Sequence, residues 1–131
     1  MLKRGNLYIA NLGEVTSKSG SIQMGKRPVI IVSNDINNFH SSMISIVPLT
    51  TSKYKKKLPT HVEITTNNSK IEKDSIALCE QIMVIPKDYI VKDEPLFTLT
   101  KELMSQINNG ISIQLGLGLS TPTNRMAYAM A

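Results

Sequence analysis

In the stretch GKRPVIIVSND, Arg27 stands directly before Pro28, at the mouth of an apolar, β-branched run. A charge placed there either turns out to solvent or has a task. Two hydroxyls, Thr50 and Thr51, close the next apolar run, and Ser52, Lys53, Tyr54, Lys55, Lys56 and Lys57 follow them. If the two runs are antiparallel neighbours, the start of one lies beside the end of the other. Arg27 and Thr50 then meet at one end of a sheet. A guanidinium fork beside a hydroxyl suits a phosphate and the negative charge that develops on it during transfer. The competing reading pairs Arg27 with a carboxylate and makes Thr50 a turn cap, and the residues alone leave the two level. Around Tyr54, a ring among lysines can stack on a base while the ammonium groups meet phosphates. The competing reading there is a solvated hairpin tip.

Other chemistries find less support. Cys79 is the single cysteine, which excludes an intramolecular disulfide and a multi-cysteine zinc site. It lies in the apolar stretch SIALCEQI and reads as a small buried hydrophobe, with neither His40 nor His61 near it in sequence. The two histidines have no ligand-like spacing and no carboxylate cluster beside them, so no metal and no cofactor is expected. There is no phosphate-cradling glycine loop and no dinucleotide fingerprint. Asp74 and Glu80 read as turn and ladder polar groups rather than as an acid–base pair.

Five β-type runs and one helix-type segment must position these residues. Residues 6–12 form a short apolar run. Residues 14–26 are small, polar and glycine-punctuated, a loop long enough to carry function. Residues 28–33 are continuously apolar, which predicts a strand covered on both faces, with Pro28 at its start. Residues 34–42 read as a turn. Residues 43–49 are the next strand, and Pro48 suggests an edge or a bulge. In HVEIT, Val62 and Ile64 fall on one face and His61 and Glu63 on the other. Residues 74–85 predict one bent strand or two in line. From 100 to 117 the period changes: Leu103, Ile107, Ile111 and Leu115 recur every fourth residue with Met104 beside them, an amphipathic helix capped by Thr100. Gly110 inside it costs about 1 kcal/mol relative to alanine. The expected architecture is mainly β: a small, strongly bent antiparallel sheet or barrel with a late helix packed on it. Residues 1–118 form the domain and 119–131 a loose tail.

The 131 residues fit one domain, and 41% hydrophobic with 19% charged is ordinary for a globular chain. Fifteen Lys and Arg against ten Asp and Glu leave a formal charge of +5, which favours a polyanionic or acidic partner. No run approaches the roughly 18 apolar residues of a membrane span, and the N-terminus is no signal segment. A cytoplasmic location without membrane contact is the expectation.

The pieces KRGNLYIANL, GKRPVIIVSNDINN, IVPLTTS, KLPTHVEI and DSIALCEQI, in this order, resemble the MazF/PemK family of toxin endoribonucleases. The resemblance runs from about Lys3 to the end of the helix. It implies an SH3-like barrel of the CcdB–MazF type, a homodimer, and metal-independent cleavage of single-stranded RNA to a 2′,3′-cyclic phosphate and a free 5′-hydroxyl. It also implies a cognate acidic antitoxin lying across the RNA groove. The family's functional arginine falls on Arg27 and its functional threonine on Thr50. Thr51, Ser52, Lys53, Tyr54, Lys55 and Lys56 then become RNA contacts, joined by Gln81 of the last element. The chain departs from the family pattern at Asn6, where an aspartate is usual, at Ile22 and Met24 before Gly25, and at Met83 after the Glu-Gln-Ile. Two alternatives stand beside the nuclease: a gyrase-inhibiting toxin of the CcdB type that shares the barrel, and a barrel that binds nucleic acid with weakened catalysis.

Overall fold

The computed structural model describes residues 1–14, 22–51, 57–64 and 75–118. Seven strands and two helices follow in the order β1 (Asn6–Asn11), β2 (Lys26–Ile31), α1 (Asp35–His40), β3 (Met43–Thr50), β4 (His61–Ile64), β5 (Ser75–Leu78), β6 (Met83–Pro86), β7 (Phe97–Thr98) and α2 (Lys101–Leu115). The strands form one curled antiparallel sheet in the order β4-β5-β3-β2-β1-β7, with β6 also paired to β3. This is the expected bent sheet with a late helix.

The sheet buries both of its faces along β1, β2 and β3. Leu7, Ile30, Val47 and Leu49 enter one apolar cluster together with Leu103 and Ile107 of α2. Their alternating neighbours Tyr8, Val29, Ile31, Ile44 and Ile46 enter a second cluster on the other face. Side chains alternate along a strand, so a strand between two cores must be apolar at every position. That accounts for the unbroken run in β2. The alternation in β4 also holds: Val62 and Ile64 are buried and Glu63 is exposed.

Three expectations require correction. Residues 34–42 are not a turn alone but contain α1, whose N-cap Asn34 accepts a hydrogen bond from the Asn37 amide at 2.8 Å. Pro48 lies neither at an edge nor at the end of a strand, because β3 is the central strand. β6 pairs with residues 43–46 of β3, and β5 pairs with Leu49 and Thr50. Pro48 falls in the gap between these two partners, where its missing N–H breaks no bond to either. Leu115 is 54% exposed, and Ile113 is buried instead. At 3.6 residues per turn, each step of four advances about 40° around the helix, so three steps from Leu103 carry Leu115 about 120° off the buried face.

Asp74 lies outside the described residues; the rest of the run, 75–85, resolves into β5 and β6, separated by a 3-10 turn at Cys79–Gln81. This turn and β4 form the surface on which α2 packs. Gly110 allows the approach: a Cβ added there would lie 2.8 Å from Cys79 Sγ and 3.3 Å from the Thr60 carbonyl. Thr100 caps α2 through its side-chain oxygen, and Gly116, at φ 75°, ends it in the left-handed region.

Candidate active site

β2 and β3 are antiparallel, in a register that sets Val29 against Pro48 and Ile31 against Ile46. The ladder ends at Val29 and Pro48; two residues beyond that pair, the same register brings Arg27 level with Thr50. Period-two alternation puts Arg27 on the face of Val29 and Ile31, and Thr50 on the face of Ile44 and Ile46. Both residues thus reach the same end of the same face. They line a cleft of about 280 Å³ with Gln23, Lys26, Leu49, Thr51 and Ser75.

Arg27 is half-buried and held from several sides. Its Nε donates to the Met24 carbonyl at 2.8 Å, and its Nη1 donates to Gln23 Oε1 and to the Leu49 carbonyl, the latter at 3.3 Å. These three acceptors are carbonyl oxygens, and together they orient the guanidinium. Thr50 is 7% exposed, and Ser75 beside it is buried. The named lining residues bring two cations, three hydroxyls and no carboxylate, an arrangement that attracts an oxyanion and can hydrogen-bond it.

Of the remaining expected site residues, Thr51 lines the same cleft. Gln81 sits in the 3-10 turn, and its Oε1 accepts from the Gln23 amide at 2.8 Å. Ser52, Lys53, Tyr54, Lys55 and Lys56 lie outside the described residues. Sequence reasoning overlooked Gln23, Lys26 and Ser75. No sequence signal marked Ser75; it opens the strand whose Ile76 pairs with Thr50, and that pairing brings it to the cleft.

Neither histidine lines the cleft. The His61 side chain is 3% exposed, with Nε2 2.8 Å from Glu80 Oε2 and Nδ1 accepting from the Leu58 amide at 3.2 Å. Since Nδ1 accepts, Nε2 carries the proton toward Glu80. Glu80 is therefore no ladder group; its other oxygen accepts from Thr60 Oγ1 at 3.0 Å. His40, on α1, stacks edge-on against Phe39. Cys79 is fully buried, as expected of a structural thiol, and burial followed by the nearby Glu80 charge pushes its pKa up to about 12. A protonated thiol is a poor nucleophile.

Of the four departures from the family pattern, Asn6 accepts from Thr98 Oγ1 at 2.8 Å, tying β1 to β7. Met83 pairs with Ile46 within the sheet. Neither lines the cleft. Ile22 and Met24 flank it in sequence, and the Met24 carbonyl holds Arg27.

Fold and cleft define a class: a small curled-sheet protein whose sheet end presents an oriented cation and hydroxyls to an anion. A family model described as the PemK-like, MazF-like toxin of type II toxin–antitoxin systems matches residues 3–115, and the chain belongs to that family. A protein of Staphylococcus saprophyticus named Endoribonuclease MazF is 41% identical over 117 residues, covering 89% of this chain and 93% of its own length. Among solved structures, an endoribonuclease in complex with its cognate antitoxin from a mycobacterial species superposes with a TM-score of 0.71 at 26% identity, covering 89% of this chain and 97% of that one. MazF from Deinococcus radiodurans shares the fold, with a TM-score of 0.72 at 17% identity over 88% of this chain and 96% of its own.

Proposed function

We infer that this protein is an endoribonuclease, the toxin of a type II toxin–antitoxin pair, and that the cleft between β2 and β3 is its active site. The observation that carries the reading is the convergence of Arg27 and Thr50 on one face at one sheet end. The family match and the 41% identity to a named endoribonuclease support it, and they favour it over a gyrase inhibitor of the CcdB type.

The substrate is single-stranded RNA. A ribose 2′-oxygen attacks the adjacent phosphorus; the O2′–P bond forms as the P–O5′ bond breaks. The 2′-hydroxyl loses its proton and the 5′-oxygen gains one, leaving a 2′,3′-cyclic phosphate and a 5′-hydroxyl. Arginine keeps its proton at any working pH, so Arg27 acts by holding charge on the phosphorane oxygens. Thr50 orients the phosphate or the attacking hydroxyl. Lys26 and Arg27 supply the positive charge, and the reaction runs without metal. Thr51 and the 52–56 segment contact flanking nucleotides. The protein is a cytoplasmic homodimer, and a cognate acidic antitoxin silences it by occupying the cationic groove. The antitoxin-bound mycobacterial relative supports that partnership.

Purified protein incubated with single-stranded RNA in excess EDTA tests this reading. Cleavage at a short motif, with cyclic-phosphate and 5′-hydroxyl ends, is the expected result. Intact RNA under these conditions, with DNA gyrase inhibited instead, would overturn it.

A further inference from the structure

Two side chains, Gln81 and Gln23, link the 3-10 turn at Cys79–Gln81 to the guanidinium of Arg27. Glu80 is pinned to β4 and the residue before it: Oε1 accepts from Thr60 Oγ1 and Oε2 faces His61 Nε2. The main chain of the turn is tied to the same place, since the Cys79 amide donates to the Thr60 carbonyl at 3.1 Å. Next to this fixed point, Gln81 extends its Oε1 to the Gln23 amide at 2.8 Å. Gln23 in turn presents its own Oε1 to Arg27 Nη1. Gln23 lies on the segment 22–25, which leads into β2 and whose Met24 carbonyl takes Arg27 Nε. Gly25 of this segment is tied to the Leu12 amide and the Gly13 carbonyl, and Arg27 Nη1 also reaches the Leu49 carbonyl; Gln81 adds the hold at position 23.

We propose that Gln81 is a positioning residue for RNA cleavage: it fixes residues 23 and 24 against the anchored turn, and through Gln23 it sets the angle at which Arg27 meets the scissile phosphate. Direct RNA contact is then not its main role. The proposal rests on the reading of Arg27 as the group that binds the phosphate. A guanidinium recognises an oxyanion through a planar fork, so its orientation matters as much as its presence. Misplacing a catalytic group by about 1 Å can cost on the order of 100-fold in rate. The link from Gln81 needs an acceptor oxygen and nothing more, which separates it from an RNA contact. Glutamate keeps the acceptor; leucine keeps the bulk and loses it. A glutamate that faced RNA phosphates directly would repel them.

The test compares Gln81→Leu and Gln81→Glu with the unaltered protein in two measurements. One is the single-turnover rate on a single-stranded RNA oligonucleotide, beside the dissociation constant for the same oligonucleotide with a 2′-deoxy residue at the cut. The other is the Arg27 Nε–H signal in a nitrogen-15 NMR spectrum of the free protein. Gln81→Leu is expected to slow cleavage roughly 10- to 100-fold, to leave the dissociation constant within about threefold, and to shift or broaden the Arg27 signal. Gln81→Glu is expected to recover most of the lost rate and to restore the signal. An Arg27 signal unchanged in Gln81→Leu overturns the proposal whatever the activity. So does binding that weakens as much as the rate, or a Gln81→Glu variant slower than Gln81→Leu. Undiminished cleavage by Arg27→Ala would instead remove the reading of the site beneath it, and the NMR result would show whether the link itself exists.

Discussion

Arg27 is held by carbonyls of Met24, Leu49 and Gln23, which orient its planar fork. Lysine in its place carries its donors on one ammonium nitrogen and cannot reproduce bonds that leave from both Nε and Nη1. Arg27→Lys is therefore expected to lose about 100-fold or more in single-turnover rate, in the range seen when one oriented donor is removed from an oxyanion site. Cys79 gives a second expectation at this scale. Its pKa is raised to about 12 in the folded protein, so the unfolded chain releases the thiol proton first. Below about pH 9 both states hold that proton and stability is unaffected. Above it, the thiol costs the fold about 1.4 kcal/mol per pH unit until its own pKa is reached. Urea titrations from pH 8 to 10.5 should show the unaltered protein losing stability faster with pH than Cys79→Ala, and parallel curves would count against the assignment. The charged partner of the site was legible in the sequence because a charge before an apolar run is an anomaly that needs a reason. Gln23 and Ser75 were not, because neutral polar residues at strand ends are common and only the fold shows which of them converge.

Among the elements, α2 shows what a local rule leaves out. The glycine in its middle looks like a cost of about 1 kcal/mol that alanine would remove. In the fold, a methyl at position 110 meets Cys79 Sγ at 2.8 Å, Cys79 Cβ at 3.1 Å and the Thr60 carbonyl at 3.3 Å. Gly110→Ala is expected to lower stability by about 1–3 kcal/mol, as overpacking does. Adding Cys79→Ala should return part of that loss, since the sulfur goes but its Cβ stays; a stabilised Gly110→Ala in thermal denaturation would contradict the packing account. Thr100→Ala removes the cap bond to the Leu103 amide, 3.2 Å long, and should cost about 1 kcal/mol. The strands β1 to β6 were legible from their apolar runs and so was the late helix, whereas β7, two residues long, is too short to read. The helix α1 was not: six residues are below the length at which a periodic signal can be read, and α1 is held by capping and by buried Asn38 rather than by an apolar stripe. Pro48 misled for a related reason. A proline rule concerns the ladder bond a residue owes, and the change of partner along β3 removes that debt.

At the scale of the whole molecule, a formal charge of +5 and a cleft with Lys26 beside Arg27 make salt dependence an expected property. Affinity for single-stranded RNA should fall with a log–log slope of about −0.7 per neutralised phosphate, and Lys26→Ala should make the slope shallower by about 0.7. An unchanged slope would show that Lys26 meets no phosphate. Overall architecture was legible because five motifs in family order run from Lys3 to Ile82 and a periodic helix follows them, while the site's cross-links required the register of β2 against β3. That register makes one claim above the others, that RNA is cut where Arg27 and Thr50 face each other. Its most direct measurement is the single-turnover cleavage rate of Arg27→Ala, on one single-stranded RNA, relative to the unaltered protein at matched folded concentration. A fall of about 100-fold or more is expected; a rate within a few-fold of the unaltered protein would contradict the account.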